Sequence, residues 1–424
     1  MNQPPAPLRD PVLGCALVSL GFLALVLVRI GLVPAPYFDE VHYVPAARAL
    51  LEGSGWLNRE HPPLGKELIA LGMMMLGDSP LGWRIMPALA GALTLFAAMR
   101  ALWFASHARF ATIAYGILLT SGGFLFVQAR IAMLDGFMAA FLMVALWQLA
   151  AAVRQPETGR LRLAIAGIAL GLSLGAKWNV APLVMLPGIA FLIARVAAGR
   201  RRLLLSQRGI PVPGLSLAEA ALWLGLIPLL VYWATFLPVA GLAAQPLDPA
   251  SFLALHYEVI ALQQSVTEAH PYQSTWLQWV LNTRPIWYLY EPVAGVQRGI
   301  LLLGNPLTML AGLPALAWCL WAGMRERRWD ALSVAVLYGA ALGLWLVAPK
   351  PVQFYYHYFL PNLFLLAALA LLLDGFWHKR TRWLALGLPA ASLALFAWFY
   401  PILSAAPLAD EYAFERWMWL DSWR

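Results

Sequence analysis

Long apolar runs separated by short polar stretches dominate the chain from Val12 to Leu403. The first covers Val12–Val33, and others follow at Trp83–Phe104, Phe110–Gln128, Leu134–Val153, Leu163–Ala176, Asn179–Val196 and Ala218–Leu242. Four more occupy Gly299–Met324, Ala331–Ala348, Phe354–Phe376 and Trp383–Leu403. About 20 helical residues cross a hydrocarbon core about 30 Å thick, so the pattern predicts an all-α polytopic membrane protein of about eleven transmembrane helices. No fixed-period repeat and no low-complexity tract interrupts it. The first run exceeds a signal-peptide core and reads as a retained helix.

Composition removes the soluble alternative. Hydrophobic residues make up 61% of the chain and charged ones 12%, against about a quarter charged in soluble domains. The net charge of +8 would suit nucleic acid, but its distribution argues for membrane topology. With a cytoplasmic N-terminus, seventeen of the 29 basic residues fall in cytoplasmic segments, clustered at Arg195–Arg208, Arg325–Arg328 and Lys379–Arg382. That is the positive-inside bias, and an odd number of spans then puts the C-terminus outside. Cys15 and Cys319 both lie in apolar runs and read as packing residues, with no disulfide or metal framework.

Two outer connections are long, residues 34–82 and 243–298, and loops of that length usually carry function. The second holds Trp276, Trp279, Trp287, Tyr288 and Tyr290, which suit either an interfacial aromatic belt or a substrate wall.

The first connection opens with Tyr37-Phe38-Asp39-Glu40-Val41-His42-Tyr43. Asp39 could cap the following helix; capping leaves Glu40 and His42 unexplained, whereas a carboxylate here could take a proton from an acceptor hydroxyl. His61-Pro62-Pro63-Leu64-Gly65-Lys66 lacks the first glycine of a phosphate loop, and Glu67 stands where Ser or Thr is required, so a nucleotide loop is rejected. A proline-stiffened turn, with His61 and Lys66 as ligand candidates, remains. Arg84 and Arg130 lie where charge is costly. Arg130 could pair with Asp135 as a structural ion pair, or grip a phosphate through its planar fork. Lys177, Lys350 and His357 sit beside aromatics at the same face and suit an anionic headgroup. No HExxH, CxxC or EF-hand spacing occurs, so no cofactor is called for and a divalent cation has no ligand motif behind it.

Taken together, FDEVHY, HPPLGKELIAL, WRIMPALAGALT, ARIAMLD and GAKWN, followed by RPIWYLYE, GNPL and FYYHYFLP, resemble the protein O-mannosyltransferase family from Tyr37 to Pro361. The resemblance implies a GT-C membrane fold occupying residues 1–424 as one domain. It also implies inverting transfer of a sugar, mannose in this family, from a polyprenyl-phosphate carrier to a hydroxyl on the outer face. By the same resemblance Asp39 is the general base and Glu40 supports the site. Arg84 matches the family's essential arginine and, with Arg130, Lys177, Lys350 and His357, is a candidate for the carrier phosphate or the substrate. The expected location is a bacterial inner membrane. The connection 243–298 is too short for the β-trefoil domain of eukaryotic members. That departure leaves the acceptor open between protein Ser/Thr and a glycolipid such as lipid A or a cell-wall glycan. A lipid or sugar transporter is the rival from another class, but it would place its charges at mid-membrane in two related halves.

Overall fold

The computed structural model describes residues 9–199, 203–242, 248–265, 267–348 and 350–424. Arg200–Arg202 and the start of the second long connection, Ala243–Leu247, lie outside the described residues.

Helix α1 (Val12–Leu27) is followed by an extended stretch leading to two short helices, α2 (Glu40–Glu52) and α3 (Leu64–Leu76). Then come α4 (Pro80–Ser106), α5 (Arg109–Ser121), α6 (Phe124–Gln128), α7 (Leu134–Arg154), α8 (Gly159–Ala176) and α9 (Ala181–Ala197). The stretch Leu217–Ala240 combines α10 (Leu217–Ala221), a π-helical turn, α11 (Ile227–Ala234) and α12 (Leu237–Ala240). The second long connection holds α13 (Pro249–Ser265), α14 (Trp276–Val280) and the strands β1 (Ile286–Val293) and β2 (Val296–Leu302). Helices α15 (Pro306–Arg325), α16 (Trp329–Val347), α17 (Phe359–Trp377) and α18 (Arg382–Leu403) complete the bundle.

Among the described residues nine helices are long and apolar enough to cross a membrane, and α1 adds a shorter one of 16 residues. The chain is therefore a multi-pass membrane protein. Helix α17 is the most enclosed of the nine, which explains why it is apolar on all sides rather than striped.

Two sequence expectations change. The run Phe110–Gln128 is not one helix: it breaks between α5 and α6 at Gly122-Gly123, where Gly123 has φ +89° and a Cβ would lie 2.0 Å from the Leu303 carbonyl oxygen. Asn305 satisfies the carbonyls this break frees, its backbone N–H donating to Gly122 O at 2.9 Å and its amide to Ser121 O at 3.0 Å. The run beginning at Gly299 opens as strand, not helix. Strands β1 and β2 form an antiparallel hairpin closed at Ala294-Gly295, both with positive φ, as a two-residue turn requires. The register slips between Trp287 and Leu289, leaving Tyr288 as the extra residue of a bulge.

The last residues return to this hairpin. Leu408 N–H donates to Gln297 O, Ala405 N–H to Gly299 O, and Trp423 Nε1 to Asn282 O at 2.8 Å. Asn282 in turn accepts from Tyr355 Oη and donates to Gly304 O, so the last residues buttress the turn at Tyr355–Tyr358 that carries His357 and leads into α17.

Candidate active site

Helix α1 stops at Leu27, and the carbonyls beyond it have no helical partners. Two arginines supply them. Arg84 Nη1 donates to Ile30 O at 3.1 Å and Val33 O at 2.8 Å, and Nη2 to Ala35 O at 3.3 Å. Arg130 donates to Val26 O, Val28 O and Ser404 O. The remaining donors of Arg84 grip Glu40, Nε to Oε1 at 2.8 Å and Nη2 to Oε2 at 2.7 Å, with both side chains fully buried. Glu40 also accepts from Ala132 N–H at 2.8 Å and Tyr37 N–H at 3.3 Å.

This geometry corrects three expectations. All five N–H donors of Arg84 are committed to the protein, so it positions the Asp39-Glu40 segment and has none left for a phosphate. Arg130 is likewise a clamp on the end of α1. It is not the partner of Asp135, which pairs with Lys177 instead, Nζ to Oδ2 at 2.6 Å. Lys66 is the third case: its ammonium donates to the carbonyls of Leu57, Asn58 and His61 and is fully buried. Burial lowers its pKa to about 7, against the pull of Glu60 and Glu67. It holds the loop 57–61 in shape.

With those groups committed, Asp39 stands apart. It precedes the first turn of α2, yet its side chain makes no capping bond, so the cap reading fails. Burial raises the Asp39 pKa above the ordinary 3.8, with Asp135 adding to the rise while Lys177, His42 and Lys350 oppose it. The cations that oppose the rise are the ones that could receive an anion beside it. Lys177 keeps two N–H donors beyond its bond to Asp135 and lies 5.1 Å from the centroid of the Tyr356 ring. Lys350 is half-buried, its pKa lowered to about 8 by burial and by Lys177. His357 accepts the Phe354 N–H at Nδ1, 3.0 Å, which assigns the proton to Nε2. Its ring stacks on Trp345 at 3.8 Å, and it lies within electrostatic reach of Lys350, Lys177 and His61. His61 is half-buried with its ring edge-on to Tyr43 at 5.9 Å. Burial, then the Lys177, Lys66 and Lys350 charges, lower its pKa well below the ordinary value. His61 is therefore a neutral hydrogen-bonding group and not a phosphate cation.

The walls were less visible in the sequence. Phe38 stacks on Tyr288 at 4.1 Å and meets Tyr356 edge-on at 5.8 Å. Tyr288 points here because the bulge in β1 turns it out of the ladder. The Asp135–Lys177 pair did leave a signal. Asp135 opens α7 and Lys177 follows α8, so the two are mirror positions about the short turn joining antiparallel helices, which brings them to one level. Among the described residues no three His, Cys, Asp or Glu side chains lie close enough to hold a metal ion together.

The same four helices continue away from the charges. Asp135 begins α7, Lys177 precedes α9, Lys350 follows α16 and His357 precedes α17. Farther along them Met143, Leu186, Val334 and Phe364 line an apolar cavity of about 550 Å³. Met143 is eight residues beyond Asp135, about 12 Å along the helix axis.

A helical membrane bundle of this architecture defines a fold class, and two solved structures superpose on it. The chain matches the S. cerevisiae protein O-mannosyltransferase Pmt1-Pmt2 complex bound to the sugar donor with a TM-score of 0.82 at 13% identity, covering 97% of this chain and 92% of that one. It matches ArnT from Cupriavidus metallidurans bound to undecaprenyl phosphate with a TM-score of 0.60 at 17% identity, covering 90% and 63%. The fold is GT-C. Residues 60–239 match the family described as dolichyl-phosphate-mannose-protein mannosyltransferase, and residues 249–423 its C-terminal four TMM region. The polyprenol-phosphate-mannose–protein mannosyltransferases of Mycolicibacterium smegmatis and Corynebacterium glutamicum are 29% and 28% identical, each over 92% of this chain and 88% of theirs. The chain belongs to the protein O-mannosyltransferase family.

Proposed function

We propose that this protein transfers mannose from a polyprenyl-phosphate carrier to a hydroxyl group of an acceptor protein, with Asp39 as the general base. The observation that carries the reading is the Asp39 carboxylate, uncommitted to the fold and within electrostatic reach of Lys177 and Lys350, in a chain of this family. Asp39, raised in pKa by burial, takes the proton of a Ser or Thr hydroxyl. The hydroxyl oxygen bonds to C1 of the sugar while the C1–O bond to phosphate breaks, and configuration at C1 inverts. The electron pair leaves on the carrier phosphate, where Lys350, Lys177 and the Nε2–H of His357 stabilise the growing charge. Glu40 and Arg84 keep the base in place and touch neither substrate.

The apolar cavity at Met143 and Phe364, on the helices that bear the phosphate ligands, is where the carrier's prenyl chain would lodge. The positive-inside bias supports a site on the outer face of a bacterial inner membrane, with residues 1–424 working as one catalytic module. In this reading two lysines balance the phosphate charge and the Nε2–H of a neutral His357 donates to it, and no further cofactor takes part.

Purified protein given polyprenyl-phosphate mannose and a Ser/Thr peptide should release polyprenyl phosphate in step with mannosyl-peptide. Retention of anomeric configuration in the product, or no sugar transfer to the peptide, would sink the reading.

A further inference from the structure

Helix α13 lies as a strap across two segments that end in site residues. It reaches the loop before His61 through Glu258, which pairs with Arg59 Nη2 at 3.3 Å, and through the Gln263 amide, which donates to Glu60 O at 3.0 Å. It reaches the corner after Lys177 through His256. That ring stacks on Trp178 at 5.2 Å, and its Nε2 shares a 2.7 Å hydrogen bond with Tyr232 Oη, which also accepts from Trp178 Nε1 at 2.8 Å. Trp56, Phe236, Leu255 and Val259 form an apolar cluster beneath the strap, separate from the main core.

Five buried polar atoms sit on the two segments that the strap joins, and none has a partner among the described residues. Two are donors, Trp56 Nε1 and Arg59 Nε; three are acceptors, Asn58 Oδ1, Glu60 Oε2 and Asn179 Oδ1. Trp56 is only 7% exposed. Protein interiors satisfy nearly all such groups, so five on these two segments point to a ligand that makes these bonds.

We infer that the slot between α13, the loop 56–60 and the Trp178-Asn179 corner binds the backbone of an uncharged, extended peptide flanking the target Ser or Thr. The inference rests on the protein-acceptor reading above and names its subsite. A peptide backbone offers N–H groups to Glu60 and Asn179 and carbonyls to Trp56 and Arg59. The aromatic rings accept small apolar side chains. An anionic glycolipid headgroup finds no free cation here, because Arg59 is paired with Glu258 and Glu60 repels it. The slot adjoins the chemistry, since Glu60 precedes His61, Asn179 follows Lys177 by two residues, and His61 lies within electrostatic reach of Lys177.

The test uses the full chain in lipid nanodiscs with polyprenyl-phosphate mannose and a short uncharged peptide carrying one central Thr. Glu60→Gln and Trp56→Phe should each raise the peptide KM by about fivefold to tenfold, the loss of one buried hydrogen bond, with kcat held. A peptide KM within about twofold of wild type in both variants overturns the inference. A benzophenone-bearing peptide on the unaltered protein decides the matter if a variant fails to fold. Adducts on residues 56–60 or α13 support the slot, and adducts confined to other segments refute it. Wild-type protein that mannosylates a lipid but never the peptide overturns the protein-acceptor reading, and the slot with it.

Discussion

Asp39 and Glu40 are neighbours in sequence, and their conservative amides should move activity and stability in opposite directions. Asp39 makes no side-chain hydrogen bond as the residue before α2, so Asp39→Asn removes no bond from the fold. It removes a charge that the fold disfavours. A carboxyl whose folded pKa exceeds 3.8 destabilises the native state wherever the unfolded chain would ionise it, and the penalty vanishes as pH falls below that value. Asp39→Asn should thus be at least as stable as wild type at pH 7, with the gain shrinking to nothing in acid. Its activity should collapse. Loss of a general base costs about 10²–10⁴-fold in rate, about 3–5 kcal/mol at the barrier. Glu40→Gln behaves in the reverse order. The amide nitrogen would face the Arg84 and Tyr37 donors that Oε2 now accepts, leaving a buried guanidinium half-answered at a cost of up to about 3–5 kcal/mol. Unfolding followed by tryptophan fluorescence, alongside single-turnover mannosyl transfer, reads both quantities on the same samples. An Asp39→Asn protein within about threefold of the wild-type rate would remove Asp39 as the base. A melting temperature lowered as far as that of Glu40→Gln would make Asp39 structural.

Other consequences concern the cations and one corner of the fold. Lys350, poised at about 8, is charged below that pH and loses its charge above it, so kcat/KM for the donor should fall as pH rises through about 8. In Lys350→Gln the whole profile should be lower and this alkaline limb absent; a limb that persists unchanged assigns it to another group. Arg84→Lys should not rescue the fold, because three ammonium donors cannot replace five guanidinium ones, and a loss of up to about 3–5 kcal/mol is expected from denaturation midpoints. Wild-type stability in that variant would show the fork to be dispensable. Gly123→Ala should destabilise by about 1–2 kcal/mol from its backbone angle alone, and by more from the collision with Leu303 O. Unchanged thermal unfolding would show that the α5–α6 break relaxes freely.

Much of this was legible in the sequence because a bilayer imposes a simple rule on length and polarity. The runs from Trp83 to Leu403 each coincide with a helix or a broken pair, apart from the start at Gly299. That start was hidden because a buried strand running into an apolar helix has no polar residue to mark the change. Asp39 and Glu40 stand out as paired acids and the cationic candidates are legible, but which cations clamp the fold and which face the site is not. A lone arginine near a membrane face looks the same whether it will meet a phosphate or the end of a helix. Only the unwinding of the chain after Leu27, which nothing in Val12–Val33 announces, turns Arg84 and Arg130 into clamps. Tyr288 was seen as one aromatic among several. Its place at the site depends on a slip of one residue in the hairpin register, which composition does not encode.

The bonds from Trp423 to Asn282, and from Asn282 to Tyr355 and Gly304, also bear on how the protein is made. Residues 405–424 follow the last span, which ends at Leu403, and so are synthesised after it. The hairpin bearing Tyr288 and the turn bearing His357 therefore receive their last support only once the bundle is threaded through the membrane. A chain stalled before them would present Asp39 with the hairpin and the His357 turn lacking these contacts.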